Sequence, residues 1–203
     1  FAANRDRYPV LLPHLQDQPM QALPHLRLHN GTIWRWNRPL VGFDSAGIPH
    51  YRIEHRVVAA GTSALDIVAD TAFFLGLMLG LVDSSEPLEQ QLPFTAARDN
   101  FYRAARDGFS ARVTWFDGVE GELGDLIVSK LIPLASEGLK RYGLPDQAIA
   151  PWMAIVSERV QSKQTGSRWQ LDWLARHGHD WSGLVLAYAA QQDAGKPVHG
   201  WPL

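Results

Sequence analysis

The chain has 203 residues, a formal net charge of -2 and no Cys. The near-neutral balance excludes a general nucleic-acid binder and a polybasic membrane surface, and the absence of Cys excludes disulfides and thiolate metal sites. With 46% hydrophobic residues, one large domain or two small ones can form without covalent staples.

Eight Trp are many for this length, and several are expected at interfaces or in a pocket wall. No run reaches the roughly 18 consecutive apolar residues of a membrane span, and the longest, 72–82, contains two Gly. Residues 1–20 do not read as a signal peptide. A cytoplasmic protein with no membrane or nucleic-acid partner is expected. The chain opens on Phe1 rather than Met and is expected to be the later part of a longer polypeptide.

Residues 1–30 carry Pro9, Pro13, Pro19 and Pro24 and lead into Asn30-Gly31. Pro at this density blocks long helices and Asn-Gly favours a turn, so a connector is expected. Residues 32–36 are β-prone. Asn37, Pro39, Gly42, Asp44, Gly47 and Pro49 predict a loop. Residues 50–58 alternate, with His50, Arg52, Glu54 and Arg56 on one face and Tyr51, Ile53, His55 and Val57 on the other, which predicts a strand.

Ala59-Ala60-Gly61 ends the strand. A helix to about Val82 follows, capped by Thr62 or Ser63, with Asp66 near its start. Ala72, Gly76 and Gly80 form a smooth stripe suited to close helix packing. A polar connector over 84–93, a helix over 95–107, a strand over 111–116 and a turn at Asp117-Gly118 come next. A helix over 123–142 stops at Gly143, with Pro133 placed to kink it. Helices over 151–163, 167–177 and 181–192 complete the reading. The predicted class is α+β, a strand-bearing first third followed by a mostly helical remainder.

Arg52, Glu54 and Arg56 share one strand face about 6.6 Å apart. At an effective dielectric near 20, each Arg–Glu attraction is on the order of 2.5 kcal/mol before desolvation, and the two Arg repel by roughly half that. The triplet is net positive and suits a phosphate or a carboxylate, which Arg grips with two parallel bonds. It also suits a solvated sheet face with no ligand. Arg35 and Arg38, among Trp34 and Trp36, add two more cations just upstream. His55 falls on the opposite face, where a packed or hydrogen-bonded role is expected. His177, His179 and Asp180 gather at a helix end without a further ligand, which fits a helix terminus better than a metal site.

The order Asn37-Arg38, loop, Arg52-Ile53-Glu54-His55-Arg56, small-residue break and Ala- and Gly-bearing helix resembles the glutamine synthetase superfamily of carboxylate–amine ligases. The stretches His29-Asn30-Gly31-Thr32-Ile33-Trp34-Arg35-Trp36-Asn37-Arg38-Pro39, Gln164-Thr165-Gly166-Ser167-Arg168-Trp169 and His199-Gly200-Trp201 resemble the bacterial glutamate–cysteine ligase family more closely. The resemblance implies the C-terminal portion of one catalytic domain over 1–203. Residues 1–60 would be part of the site on a glutamine synthetase-like antiparallel sheet, and 61–203 would be mainly helical.

It also implies an ATP- and Mg²⁺-dependent ligase of glutathione biosynthesis, joining the γ-carboxylate of glutamate to an amine such as cysteine through an acyl phosphate. Arg38 and Arg52 would meet the phosphates, Glu54 a metal, and Arg56 the substrate carboxylate or the acyl phosphate, with Arg35 and Trp34 lining the pocket. No Glu precedes Glu54, so further metal-binding acids are expected from a preceding portion of the protein, and the fragment alone is expected to be inactive. A non-catalytic binding or regulatory module with the same fold is the second reading, and a structural helical domain with a charged strand is the third. Subunit contacts through the apolar helices and Trp are allowed for. Ser167 is expected to cap the helix at 167, where a phosphate or carboxylate could also sit.

Overall fold

A computed structural model describes residues 1–8 and 19–203. The part of the expected connector around Pro9 and Pro13 lies outside the described residues. The topology is mixed α+β, with two small antiparallel sheets and several helices. The backbone divides into two compact units, Phe1–Ala59 and Ala60–Leu203.

In the first unit, helices α1 (Ala2–Arg7) and α2 (Pro24–Thr32) accompany a hairpin of β1 (Asn37–Phe43) and β2 (Pro49–His55). Three expectations are corrected here. The stretch read as connector forms helix, because Pro24 stands in its first turn, where a missing N–H costs nothing. Asn30-Gly31 belongs to α2 rather than to a turn. Residues 37–43, read as loop, are a strand paired in register from Asn37↔His55 to Phe43↔Pro49.

Pro39 is tolerated because β1 has an open edge, and its outward carbonyl accepts a bond from the Asn30 side chain at 2.5 Å. That bond ties α2 to the strand. The true turn is Asp44–Ile48, where the Asp44 side chain accepts from the amides of Ala46 and Ile48. Gly47, at φ +78°, supplies the left-handed residue the turn requires.

The second unit is built on α3 (Ala64–Leu81), α7 (Ile132–Arg141) and α8 (Asp146–Ser162). Ser63 caps α3 through the Asp66 amide. The small-residue stripe of α3 lies against α7: a Cβ on Gly76 would stand 2.5 Å from the Ala135 carbonyl, and one on Gly80 would stand 2.7 Å from that of Leu134. Gly138 of α7 faces the backbone of Gly76 and Gly80 in turn. Two apolar clusters form around these helices, one of Ala69, Ile127, Leu131, Val156 and Val160, the other of Ala135, Leu139, Ile149 and Met153.

Between α3 and α7 the chain forms α4 (Leu88–Gln91), α5 (Phe94–Asp107), the hairpin β3 (Arg112–Thr114) and β4 (Glu120–Glu122), and α6 (Leu123–Leu126). The helix expected over 123–142 is helical throughout to Arg141 but changes winding. Residues Ile127–Leu131 form a π-helix just ahead of Pro133. Pro133 has no N–H and its ring would crowd the carbonyl four residues back, and the wider π turn ahead of it accommodates both.

Beyond α8, α9 (Gly166–His177) and α10 (Trp181–Asp193) pack with the tail around Trp169, Trp173, Leu184, Val198 and Trp201. The α9 cap is Thr165, which accepts from the Arg168 amide at 3.2 Å, not Ser167, because the helix starts earlier than expected. Gln164 donates to the carbonyls of Val198 and Trp201, at 2.7 and 3.0 Å, and Trp169 donates to that of Pro202 at 2.8 Å.

One further expectation changes. Among the described residues α3 is long and apolar enough to cross a membrane, with 18 residues and a mean hydropathy of 1.8. Asp66 and Asp70 break its run of apolar residues in the first two turns. Both acids bond Arg159 of α8, at 2.8 and 2.6 Å.

Candidate functional site

The hairpin register sets the geometry of the cationic face. Arg38 and Glu54 are directly opposed across β1 and β2. Arg38 donates to Glu54 Oε2 through Nε at 2.8 Å, with its Nη2 2.6 Å from the same oxygen, and donates to the Gly31 carbonyl through Nη1 at 2.6 Å. Arg56 lies one residue past β2, but its amide donates to the Trp36 carbonyl at 2.8 Å and prolongs the ladder. Its guanidinium donates to Glu54 Oε1 at 2.8 Å.

Glu54 is therefore clamped at both oxygens. The Arg56 bond lowers its pKa below the ordinary value, partial burial opposes this, and the Arg38 bond and both positive charges add to the lowering. Arg56 also stands 6.0 Å over the ring of Trp34, which lies 5.5 Å from that of Trp36. Trp34 is 67% exposed, so this aromatic pair forms an open platform beside the ion pairs.

Arg52 occupies the same strand face two residues before Glu54 but is not drawn into the cluster. Among the described residues it has no carboxylate partner. It lines a cleft of about 150 Å³ with Leu40, Asn30 and Arg27. Arg27, from α2, likewise has no acidic partner among the described residues, and its guanidinium lies 5.8 Å from the centre of the Phe43 ring. The sequence reading missed Arg27 because it took this stretch for a connector, and no local pattern links it to Arg52. Their juxtaposition depends on the Asn30–Pro39 bond.

Arg35 turns away from the cluster, donating to Asn4 and to the Tyr8 hydroxyl, both at 3.1 Å. His55 lies on the opposite face, with Nδ1 2.6 Å from the Asn37 side-chain oxygen. At the far end of the chain, His177 stacks on Trp173, His179 stacks on Trp181, and Asp180 caps α10. No group of three or more His, Asp or Glu able to hold a metal ion occurs among the described residues.

Glu54 does not suit the metal-ligand role the resemblance implies. A carboxylate held at both oxygens by guanidiniums has its charge already balanced, and a cation beside it would face two fixed positive groups. The arrangement instead favours anions. Two guanidiniums are fixed by an acid, two more have no acidic partner among the described residues, and a cleft adjoins the latter pair. A phosphate or carboxylate fits such a wall, because Arg offers it a planar fork of donors.

In class, the chain is thus an α+β protein with a small cleft, lined in part by Arg27 and Arg52, beside a two-stranded hairpin. No family model, curated protein or solved structure matches it. The expected ligase, glutamate–cysteine ligase, ATP- and nucleotide-binding, magnesium and glutathione-biosynthesis descriptors are corrected on this finding: no such signature was matched, and the described residues hold no metal-binding cluster.

Proposed function

We propose that Phe1–Ala59 supplies the cationic wall of a site where a carboxylate, that of glutamate, is activated by phosphoryl transfer from ATP and the resulting acyl phosphate is captured by an amine. The reading rests on the sequence resemblance and on one observation, the placing of Arg52 and Arg27, neither with an acidic partner among the described residues, at a cleft beside the fixed Arg38–Glu54–Arg56 cluster. The cytoplasm, where ATP is abundant, is the setting this chemistry needs.

Phosphoryl transfer leaves little covalent work to the protein and depends on positioning and charge stabilisation. Arg52 and Arg27 would hold the group that gains negative charge. The cleft, at about 150 Å³, holds one anionic group rather than a nucleotide, since pockets for whole small ligands run to roughly 300–1,000 Å³. Arg56, held in place by Glu54, would orient a carboxylate at the edge of the Trp34 platform. Acids for any divalent ion would come from elsewhere, because among the described residues of Phe1–Ala59 Asp6 pairs with Arg5 and the Asp44 side chain accepts turn amides. A preceding segment of the same protein is the proposed source.

The second reading is a binding module of the same fold without turnover, and the commitment of Glu54 to two arginines favours it for this chain taken alone. The test measures phosphate release from ATP with glutamate and a panel of amines that includes cysteine, in the longest polypeptide that carries this chain. Arg52→Met and Arg27→Met should each lower amine-dependent release by about 10²-fold. Arg56→Lys, which keeps the charge but loses the fork, should raise the glutamate requirement. Rates unchanged by all three would remove this wall from the chemistry. Saturable glutamate binding that is lost in Arg56→Lys, with no release for any amine, would select the second reading.

A further inference from the structure

A second cleft, of about 650 Å³, lies wholly within Ala60–Leu203 and plays no part in the function proposed above. One wall is the C-terminal end of α5 and the turn after it, with Arg106, Phe109 and Ser110. The other runs from Ser162 through the first two turns of α9, with Thr165 and Ser167 facing the cleft. Its volume is that of a small-ligand pocket.

The charges of the lining are unequally committed. Arg106 is paired with Asp107 at 2.8 Å and Arg168 with Asp172 at 2.7 Å. Lys163 has no acidic partner among the described residues, so three cations against two acids leave the cleft one positive charge in excess. Lys163 also sits at φ +55°, where Gly or Asn is the ordinary occupant. Hydroxyls of Ser110, Thr165 and Ser167 line the same space, while Phe109 and Leu171 give it an apolar part.

We propose that this cleft binds a small organic phosphate. The phosphate group is held by the Lys163 ammonium and the Ser167 hydroxyl, with Arg106 and Arg168 adding charge at the rim, and the organic part covers Phe109 and Leu171. The amide of Ser167 lies in the first turn of α9, where donors lack helical acceptors, and reinforces the phosphate contact.

The test is a titration of the full chain with inorganic phosphate and with glycerol 3-phosphate, followed by the amide resonances of Gly166, Ser167 and Lys163. Reading these positions separates binding here from binding at Arg52. Both probes should move the three resonances saturably, glycerol 3-phosphate at the lower concentration. Lys163→Met should raise the midpoint about tenfold. Lys163→Gly should do the same while melting no lower than the parent, because Gly adopts the positive φ freely. Lys163→Arg should keep binding. No saturable movement with either probe, or unchanged midpoints in Lys163→Met and Lys163→Gly, overturns the site. Equal midpoints for the two probes overturn the assignment of an organic phosphate.

Discussion

Glu54 and Asp66 are both carboxylates held by arginine, yet their surroundings give them different consequences. Glu54 is half-exposed at the hairpin and can exchange its partners with water. Asp66 is 1% exposed and accepts bonds from Thr62, Ser63, Arg159 and the Val198 amide. Burial alone would raise its pKa, but these bonds and the Arg159 charge outweigh burial and hold it below the ordinary value. The unfolded chain titrates at the ordinary value, about 3.9. The folded state therefore binds the proton less readily, and the stabilisation is full above about pH 4 and fades as the pH falls through the lowered value. Denaturation across this range should show Asp66→Asn less acid-dependent than the parent. At neutral pH, Asp66→Ala should cost about 3–5 kcal/mol, because Arg159 is left largely buried without one of its partners. Equal acid slopes for parent and Asp66→Asn would show that Asp66 does not govern the response. Asp66 and a cap at Thr62 or Ser63 were legible in the sequence, and the structure selects Ser63. Arg159 and Val198 were not, since nothing local links positions so far apart in the chain.

At the scale of elements, the clearest misreading is β1. Asn37, Pro39 and Gly42 are each poor strand residues, and a local reading adds them to a loop. The strand exists because β2 offers it a full register and its other edge is free. The anion face was legible as a pattern in β2, but Arg38 opposite Glu54 depends on the length of a turn that was misplaced. The small-residue stripe of α3 fared better, since close packing is what its spacing predicts and what α7 provides. Gly138→Ala should lower stability by about 1–3 kcal/mol, because the added methyl meets backbone rather than a movable side chain. Gly31→Ala in α2 meets nothing within 4 Å and should be neutral or stabilising by up to about 1 kcal/mol. Melting temperatures of the two variants, compared with the parent, decide between tight packing and mere proximity.

For the whole molecule, the buried apolar residues are distributed unevenly. Among the described residues, Pro24 and Ile33 are the buried apolar side chains of Phe1–Ala59, whereas three apolar clusters lie in Ala60–Leu203. The mixed class was readable from composition and periodicity, but this imbalance was not, because burial depends on which faces meet. A polypeptide of residues 60–203 should melt cooperatively by circular dichroism, and one of residues 1–59 should not. A non-cooperative melt for residues 60–203 would mean that its clusters need support from outside. The tail gives this unit a fastening that any shortened or processed form must respect. Trp201, Pro202 and Leu203 lend their carbonyls to Gln164, Trp169 and Arg176. Removing these three residues would take the acceptor from the buried Trp169 indole and empty the Trp201 place in the aromatic cluster, loosening α9.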